Sequence, residues 1–201
     1  KKRRNFKFNK NIFFKNPLSI SKNPKIDIVF ELIGLSDGIS KKIIETALKN
    51  KKHIITANKA VIAKHGDYLS LLAEKNKVNL EFEAAVGGGI PILRTIKDGL
   101  STNKISKVVG ILNGTCNYIL SEMETSKDSF KTVLKKAQSL GYAEPRDPKY
   151  DLNGLDTLAK VRILSAIAFN KKISRNNCLM DGIENIEIKD IEMVNKLNFK
   201  I

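Results

Sequence analysis

The stretch IDIVFELIGLSDGISKKIIETALKNKKHIIT, residues 26–56, decides the fold. Its first eight residues, Ile26–Ile33, form a near-continuous apolar run, which is typical of a buried parallel strand. Gly34 ends this run, and an amphipathic helix is predicted to continue to about Asn50. His53–Thr56 is the next short strand. A strand–helix–strand unit of this kind predicts half of a doubly wound α/β sheet.

The rest of the chain is predicted to alternate between helices and short strands. Ser36 or Asp37 can cap the first long helix, since their side chains accept backbone N–H groups. The later predicted elements are two helical segments broken near Gly66, a strand Val78–Ala85, a helix from Pro91 to about Leu100, a strand Ile105–Leu112, a helix to about Glu124, a helix Ser129–Leu140 closed by Gly141, and a helix ending near Phe169. The tail, Leu179–Ile201, is predicted to form short strands and one helical turn, and one short strand is predicted near Ile12–Phe14.

The composition is typical of a globular protein and indicates the compartment in which it is expected. Apolar residues make up 42% of the 201 residues, which is enough for a core. No apolar run reaches the roughly 18 residues that a membrane helix needs, and no signal peptide is visible. The two cysteines predict neither a disulfide framework nor a metal cluster. We therefore expect a cytoplasmic protein that does not bind membranes.

The net charge of +15 raises the question of a nucleic-acid partner, and the residue types argue against one. Only six of the 36 cationic residues are arginine, whereas bidentate contacts to phosphates and bases favour arginine. Nine of the cations lie in residues 1–25, which contain no acid. Such charge blocks are usually solvated segments. We expect no nucleic-acid partner.

An acid-rich loop that leads into a helix, GYAEPRDPKYDLNGLDTLAK at residues 141–160, is the main candidate site. Two prolines stiffen the loop, and it carries the carboxylates Glu144, Asp147, Asp151 and Asp156. Asp151 stands at a position suited to capping the helix. Asp156 and Lys160 are four residues apart, so both project from one helical face. The pattern alone leaves open whether Lys160 is a catalytic group or an ordinary surface lysine.

Glycines indicate a second candidate site and also a missing motif. The segment VGGGIP at residues 86–91 can bend sharply and bring backbone atoms close to a ligand. Its spacing does not match G-x-G-x-x-G, the motif that normally follows the first strand of a nucleotide-binding half-domain. No such motif precedes Gly34. We therefore expect the glycine-rich turn of any nucleotide-binding half-domain to lie outside these 201 residues.

Several long motifs resemble those of the homoserine dehydrogenase family. The matching pieces lie between Ile26 and about Ile183, and they are IDIVFELIG, HIITANKA, EAAVGGGIP, ILNGTCNYIL and AQSLGYAEPRDPKYDLNGLDTLAK. The last of them resembles the family signature from Ala137 to Lys160. The resemblance implies an NAD(P)-dependent oxidoreductase that interconverts L-homoserine and L-aspartate 4-semialdehyde in threonine and methionine biosynthesis. It also implies a homodimer.

The resemblance further implies roles for individual side chains. Lys160 would be the acid/base of the reaction, and Lys59, from the TANK motif, would be a second catalytic cation near nicotinamide and substrate. Glu144 and Asp156 would bind the ammonium group of the amino-acid substrate through charge-assisted hydrogen bonds. Asp151 either binds substrate or only caps its helix.

Contacts to the cofactor and to an ion are implied at other positions. Gly34, Thr56, Lys59 and Gly141 would contact NAD(P), the first two from the carboxyl ends of strands, where doubly wound sheets hold nucleotides. Oxygen atoms of the glycine-rich loop would hold a monovalent cation such as sodium. Its ligands would be Glu83, Val86, Gly88 and Ile90. The alternative is a glycine-rich connector that binds no ion.

Two domains are expected from these observations. Residues 1–82 are predicted to form a partial dinucleotide-binding domain. Residues 83–201 are predicted to form an α+β substrate-binding and dimerisation domain with a mixed sheet, incomplete at its C-terminal end. Because the chain departs from the family pattern at both ends, we expect a fragment of a longer protein. The alternative function is a truncated, catalytically inactive paralogue that acts as a dimerising or amino-acid-binding module.

Overall fold

The computed structural model describes residues 13–201, which form two compact units that divide between Thr95 and Ile96. The first unit contains α1 (Pro17–Lys22), β1 (Ile28–Glu31), α2 (Ile39–Lys49), β2 (His53–Thr56), α3 (Lys59–Lys75), β3 (Leu80–Glu81), a 3₁₀ turn at Glu83–Ala85 and α4 (Ile92–Arg94). After a π-helical turn at Thr95–Gly99, the second unit contains α5 (Gly114–Ser126), α6 (Phe130–Leu140), α7 (Lys149–Leu152), α8 (Leu155–Phe169), a 3₁₀ turn at Arg175–Asn177 and α9 (Ile188–Lys196). The domain boundary between residues 82 and 83 stays a prediction.

The three strands form a parallel sheet in the order β1-β2-β3. Ile28 pairs with His53, and Ile54 pairs with Leu80. The helix α2 connects β1 to β2 and packs against both. The α/β class and the parallel strand–helix–strand unit predicted from residues 26–56 are therefore confirmed. Because the strands are parallel, the carboxyl ends of β1 and β2 lie at the same edge of the sheet.

The strand β1 is buried on one face only. Val29 and Glu31 are 5% and 1% exposed, whereas Ile28 and Phe30 are 49% and 64% exposed. The prediction that this apolar run is a wholly buried strand was wrong. The physical reason is that, in the part of the chain that the structure describes, α2 covers one face of β1 and the other face is open.

The start of α2 differs from the prediction. Its N-cap is Gly38, at φ 66°, and no side chain caps it. Neither Ser36 nor Asp37 is the cap, since the Asp37 carboxylate instead accepts hydrogen bonds from Lys64 and His65 of α3. These hydrogen bonds hold the pKa of Asp37 well below its usual range, the one from Lys64 contributing most.

Two further elements of the first unit differ from the prediction. The helix α3 is unbroken at Gly66, because the roughly 1 kcal/mol cost of a single glycine is small beside the burial of neighbours such as Val61 and Leu69. The strand β3 covers only Leu80–Glu81 rather than Val78–Ala85, because the chain turns into a 3₁₀ helix at Glu83.

Four helices of the second unit, α5, α6, α7 and α9, share an apolar core. Its fully or nearly fully buried members are Ile119, Met123, Val133, Ala137, Ala143, Leu152 and Ile191. The predicted helix α6 is confirmed, with its N-cap at Ser129 and its C-cap at Gly141, which has φ 81°. The predicted end of α8 at Phe169 is also confirmed.

The mixed sheet predicted for the second unit does not form within described residues 96–201. The segment Ile105–Leu112 was predicted to be a strand, and it has no strand partner there. Val109 and Ile111 are 79% and 78% exposed. A strand is stable only when a partner satisfies its backbone groups, which a local pattern does not provide. The tail also differs, since residues 188–196 form the helix α9, whereas short strands and a single helical turn were predicted.

The N-terminal residues contain one helix that was not predicted. Asn16 caps α1 by accepting the backbone N–H of Leu18, and Pro17 occupies the first helical position. Of the short strand predicted near residues 12–14, Ile12 lies outside the described residues, and Phe13 and Phe14 are not in a strand. Within residues 13–201, the structure contains no helix with both the length and the apolar character needed to cross a bilayer.

Candidate active site

A buried ion pair on α8 is the centre of the candidate site in the second unit. The Nζ atom of Lys160 lies 2.8 Å from Oδ2 of Asp156, and the two side chains are 17% and 3% exposed. The same ammonium group donates to the backbone carbonyl of Leu112. The spacing of four residues places both side chains on one face, as predicted. The Asp156 carboxylate and the Leu112 carbonyl thus hold the Lys160 ammonium group in a fixed position, and part of the Lys160 side chain stays exposed.

Asn113 joins this ion pair to a second carboxylate. Its Nδ2 atom donates to Oδ1 of Asp151 at 2.9 Å and to Oδ2 of Asp156 at 3.0 Å. Its Oδ1 atom accepts the backbone N–H of Cys116 at 2.8 Å, which caps α5. One amide group therefore sets the spacing of two acids and begins a helix. Sequence reasoning missed this role of Asn113, although an Asn before a helix is a recognisable N-cap signal.

Asp151 belongs to the site and does not cap α8. It lies inside the short helix α7, and α8 begins only after Gly154, which has no side-chain cap. Its carboxylate accepts hydrogen bonds from the Asn113 amide and, at 3.1 Å, from the hydroxyl group of Thr115. The capping alternative for Asp151 was therefore wrong. Its substrate-binding role stays a prediction.

The thiol of Cys116 shows the electrostatic effect of the two acids. Burial is the main reason that the pKa of this thiol rises from 9.0 to about 11, and the negative charges of Asp151 and Asp156 raise it further. The thiol donates to the backbone carbonyl of Asp151 at 3.4 Å. A thiol with a raised pKa is a poor nucleophile near neutral pH. Cys116 is therefore packed beside the site and is not its reactive group.

The loop after α6 carries Glu144 at the surface. Glu144 is exposed, and the side chain of Gln138 donates to its backbone carbonyl at 3.1 Å and to that of Pro145 at 3.4 Å. Gly141 begins this loop in the left-handed conformation. The structure thus gives Gln138 a loop-holding role that sequence reasoning missed. The roles predicted for Glu144 with substrate and for Gly141 with cofactor stay predictions.

The first unit holds the other predicted cofactor contacts at the carboxyl ends of its strands. Gly34 follows β1 with φ 93°, and no atom lies within 4 Å of where its Cβ would be. Thr56 ends β2 and is buried, and Lys59 is the first residue of α3, which Asn58 caps. The sheet edge that Gly34 leaves open suits the close approach of a nucleotide. The cofactor contacts of these residues stay predictions.

The glycine-rich loop has a defined geometry. Both oxygens of the Glu83 carboxylate accept backbone N–H groups, from Leu93 at 3.0 Å and Arg94 at 2.8 Å. Gly87 and Gly89 have φ values of 61° and 87°, which bend the backbone between them. The carboxylate therefore holds the start of α4. The cation contacts predicted for Glu83, Val86, Gly88 and Ile90 stay predictions.

Comparison with known proteins gives consistent matches over both units. Residues 91–201 match the family model described as homoserine dehydrogenase, and residues 2–83 match the one described as homoserine dehydrogenase, NAD binding domain. The chain is 43% identical over 189 residues to a homoserine dehydrogenase from Neisseria gonorrhoeae, covering 94% of this chain and 43% of that protein. It is 41% identical to one from Bacillus subtilis, covering 88% and 40%.

Solved structures give the same result. A homoserine dehydrogenase from Thiobacillus denitrificans is 42% identical with a TM-score of 0.88, covering 93% of this chain and 43% of that one. One from S. aureus is 38% identical with a TM-score of 0.78, covering 94% and 45%. The chain thus spans less than half the length of these relatives. With one family model matching more than half of its residues, this chain belongs to the homoserine dehydrogenase family.

Proposed function

We propose that the whole protein to which this chain belongs is a homoserine dehydrogenase, an NAD(P)-dependent oxidoreductase that interconverts L-homoserine and L-aspartate 4-semialdehyde. The observation that carries the proposal is the Lys160 ammonium group, held between the Asp156 carboxylate and the Leu112 carbonyl. Membership of the family supplies the reaction to which this group is suited.

Lys160 is the proposed acid/base. Reduction of an aldehyde adds a hydride to carbon, which NAD(P)H supplies when bound, and a proton to oxygen. The Lys160 ammonium group gives that proton, and in the reverse direction the neutral amine takes it back. Asp156 and the Leu112 carbonyl fix the position of Nζ, so the proton donor stays in place while the carbonyl oxygen becomes negative.

The neighbouring acids are proposed to bind the substrate's ammonium group. Asp156, Asp151 and the exposed Glu144 are the candidates, because an amino-acid substrate brings a cation that needs carboxylate partners. The amide of Asn113 keeps two of these acids at a fixed spacing. A substrate held in this way would place its aldehyde within reach of Lys160.

The first unit is proposed to provide contacts to NAD(P). Gly34 and Thr56 stand at strand ends, where parallel sheets hold nucleotides, and Lys59 begins the adjacent helix. Gly141 of the second unit is a further proposed contact. Lys59 would also act as the second catalytic cation, close to nicotinamide and substrate. The match to an NAD binding domain over residues 2–83 supports these assignments.

A sodium ion and a second subunit complete the proposal. The carboxylate of Glu83 and the carbonyls of Val86, Gly88 and Ile90 supply the hard oxygen ligands that such a cation takes. We propose a cytoplasmic homodimer, in which the exposed extended segment 105–112 finds the strand partner that the described part of this chain does not give it. The free thiols of Cys116 and Cys178 suit a reducing compartment.

The test is turnover by the whole protein. With L-aspartate 4-semialdehyde present, NADPH or NADH absorbance should fall at a rate proportional to protein concentration, and L-homoserine should accumulate in equal amount. Protein that is folded and binds NAD(P)H but forms no homoserine would contradict the proposal. Calorimetric binding of homoserine without nucleotide, together with absence of turnover, would instead indicate a non-catalytic binding module.

A further inference from the structure

A buried carboxylate that no proposed reaction step uses lies at the carboxyl end of β1. Glu31 is the last residue of that strand and is 1% exposed. Its Oε1 atom accepts the backbone N–H of Ile33 at 2.8 Å. Its Oε2 atom accepts the hydroxyl group of Thr56, the last residue of β2, at 2.8 Å. Glu31 thus joins the ends of two adjacent strands.

The hydrogen bonds continue from Thr56 to the start of α3. The Thr56 hydroxyl oxygen accepts the backbone N–H of Asn58 at 3.0 Å. The Asn58 side chain donates to the carbonyl of Leu35 at 2.8 Å and accepts the N–H of Val61 at 3.2 Å. Thr56 and Asn58 are 1% and 4% exposed, so water competes little for these bonds.

This hydrogen-bond network connects the two turns that carry proposed nucleotide contacts. The turn after β1 contains Gly34, and two bonds hold it on either side, through the N–H of Ile33 and the carbonyl of Leu35. The turn after β2 leads to Lys59, and the Asn58 cap fixes its direction. Both turns lie outside the strands, so the side-chain bonds of this network help to fix their positions.

We propose that Glu31 is a positioning residue for the nicotinamide nucleotide, acting through Thr56 and Asn58 on the turns that present Gly34 and Lys59. This inference rests on the proposed function, since it needs those turns to contact the nucleotide. Glu31 itself does not touch the cofactor. Replacing Glu31 should therefore change the affinity for the nucleotide more than the KM for the substrate.

The carboxylate is specifically suited to this place. Both of its neighbours are donors, the N–H of Ile33 and the O–H of Thr56, and a carboxylate presents only acceptors. A glutamine has one acceptor and one donor. In Glu31→Gln, one of the two bonds must be lost or reversed, whereas the size and shape of the side chain stay nearly the same.

The experiment measures NADPH dissociation constants and steady-state constants for the whole protein and its variants. For Glu31→Gln we expect an NADPH dissociation constant about fivefold higher, because one buried hydrogen bond is worth roughly 1 kcal/mol and 1.4 kcal/mol is tenfold. The KM for aspartate semialdehyde should change much less. Thr56→Val should give a similar loss, and Thr56→Ser, which keeps the hydroxyl group, should restore most of it. The double variant Glu31→Gln/Thr56→Val should weaken binding little beyond either single change.

A matched control lies at the other end of the same sheet. Lys52 precedes β2, is 4% exposed, and donates from Nζ to the carbonyls of Asn23 and Ile26. Lys52→Gln disturbs an equally buried charged group far along the strand from the proposed nucleotide contacts. It should lower the unfolding midpoint while leaving the NADPH dissociation constant close to that of the wild type.

The outcomes separate the inference from the function on which it rests. Unchanged NADPH affinity in both Glu31→Gln and Thr56→Val overturns the positioning role, as does an equal loss in Lys52→Gln. If Glu31→Gln does not fold, Asn58→Ser takes its place in the comparison with Lys52→Gln, because it keeps the cap of α3, removes the bond to the Leu35 carbonyl and changes no residue that is proposed to contact the nucleotide. Wild-type protein that binds NADPH but forms no homoserine contradicts the proposed function, and the binding comparison still tests the role of Glu31.

Discussion

Each unit contains an asparagine that caps a helix and joins it to a buried polar network. Asn58 caps α3 through the N–H of Val61, and Asn113 caps α5 through the N–H of Cys116. The difference lies in what the two amide groups donate to. Asn58 donates to a neutral backbone carbonyl, whereas Asn113 donates to two carboxylates.

This difference separates the network that we propose to position the nucleotide from the one that we propose to react. In the first unit, both Glu31 oxygens accept donors from the protein, which fixes two turns. In the second unit, Asp156 accepts an ammonium group that is still 17% exposed. The capping asparagine therefore binds a backbone carbonyl in the first unit and two carboxylates in the second. Five predictions test this contrast and the geometry around it, in order of decreasing expected effect.

Removing the ammonium group of the second unit should abolish most turnover. Lys160→Met keeps the length of the side chain but has no proton to give, so kcat should fall by roughly 10²–10⁴-fold, the usual contribution of a general acid. Steady-state kinetics with aspartate semialdehyde and NADPH measure this loss, and circular dichroism checks that the fold is kept.

Lys41→Met is the matched control for that variant. Lys41 also pairs with an acid four residues away, Glu45, at 3.5 Å and with a more exposed side chain. An exposed pair of this kind contributes about 0–1 kcal/mol, so kcat should stay near the wild-type value. If the two variants lose turnover equally, or if Lys160→Met keeps near-normal turnover, the acid/base assignment of Lys160 is wrong.

The rate at which Cys116 is alkylated should depend on the negative charges of Asp151 and Asp156. Since the pKa of this thiol is about 11 in the folded protein and its ordinary value is 9.0, the native thiolate fraction near neutral pH is about 100-fold lower than in the unfolded chain. Iodoacetamide labelling, with Cys178 replaced by serine, should show this ratio between native and denatured protein. Asp151→Asn or Asp156→Asn should raise the native rate.

The same pKa shift predicts the direction of a pH effect on stability. The native state keeps the Cys116 proton to a higher pH than the unfolded chain does. Its contribution to stability is therefore complete below pH 9.0 and is lost as the pH rises toward about 11. Unfolding midpoints of Cys116→Ser and wild type, compared across this range, measure it. Equal slopes for the two proteins would contradict the shift.

Two glycines with the same backbone angle should differ in their tolerance of alanine. Gly141 and Gly154 both have φ 81°, but only Gly154 is crowded, since a Cβ there would lie 2.9 Å from the Asp181 carbonyl oxygen and 3.1 Å from Met180. Gly141→Ala should cost about 1–2 kcal/mol of unfolding free energy. Gly154→Ala should cost about 1–3 kcal/mol more. Urea denaturation measures the unfolding free energy of both variants. Equal losses would contradict the predicted cost of bringing a Cβ atom at residue 154 close to the Asp181 carbonyl oxygen.

Replacing each capping asparagine with serine tests the opening comparison directly. Serine caps helices about as well as asparagine, so both variants keep the cap and lose the side-chain amide donor. Each should lose about 1 kcal/mol of stability, the value of a typical hydrogen bond. Asn113→Ser should mainly lower kcat/KM for the substrate, and Asn58→Ser should mainly weaken NADPH binding. The same kinetic change in both variants would remove the distinction between the two networks.

Local sequence patterns predicted the features that depend only on residues nearby in the sequence, such as the ends and faces of helices. The ends of α6 at Ser129 and Gly141 follow from capping preferences, and the shared face of Asp156 and Lys160 follows from helical spacing. The same reasoning failed for residues 105–112, because strand formation needs a partner elsewhere. It also failed for Asp37, whose partners on α3 attract its carboxylate away from the helix that follows it.

The sequence by itself determined the α/β class, the parallel pair β1–β2 and the family, because each depends on short-range pattern or on a long specific motif. Only the tertiary structure decided which polar groups meet. Asn113 bonds to acids 38 and 43 residues away, and Thr56 bonds to Glu31 across 25 residues. Such contacts form only after helices and strands have packed, and burial then favours those pairings in which every donor finds an acceptor. That is why Asp151, which sequence reasoning allowed as a helix cap, faces Asn113 and Thr115 instead.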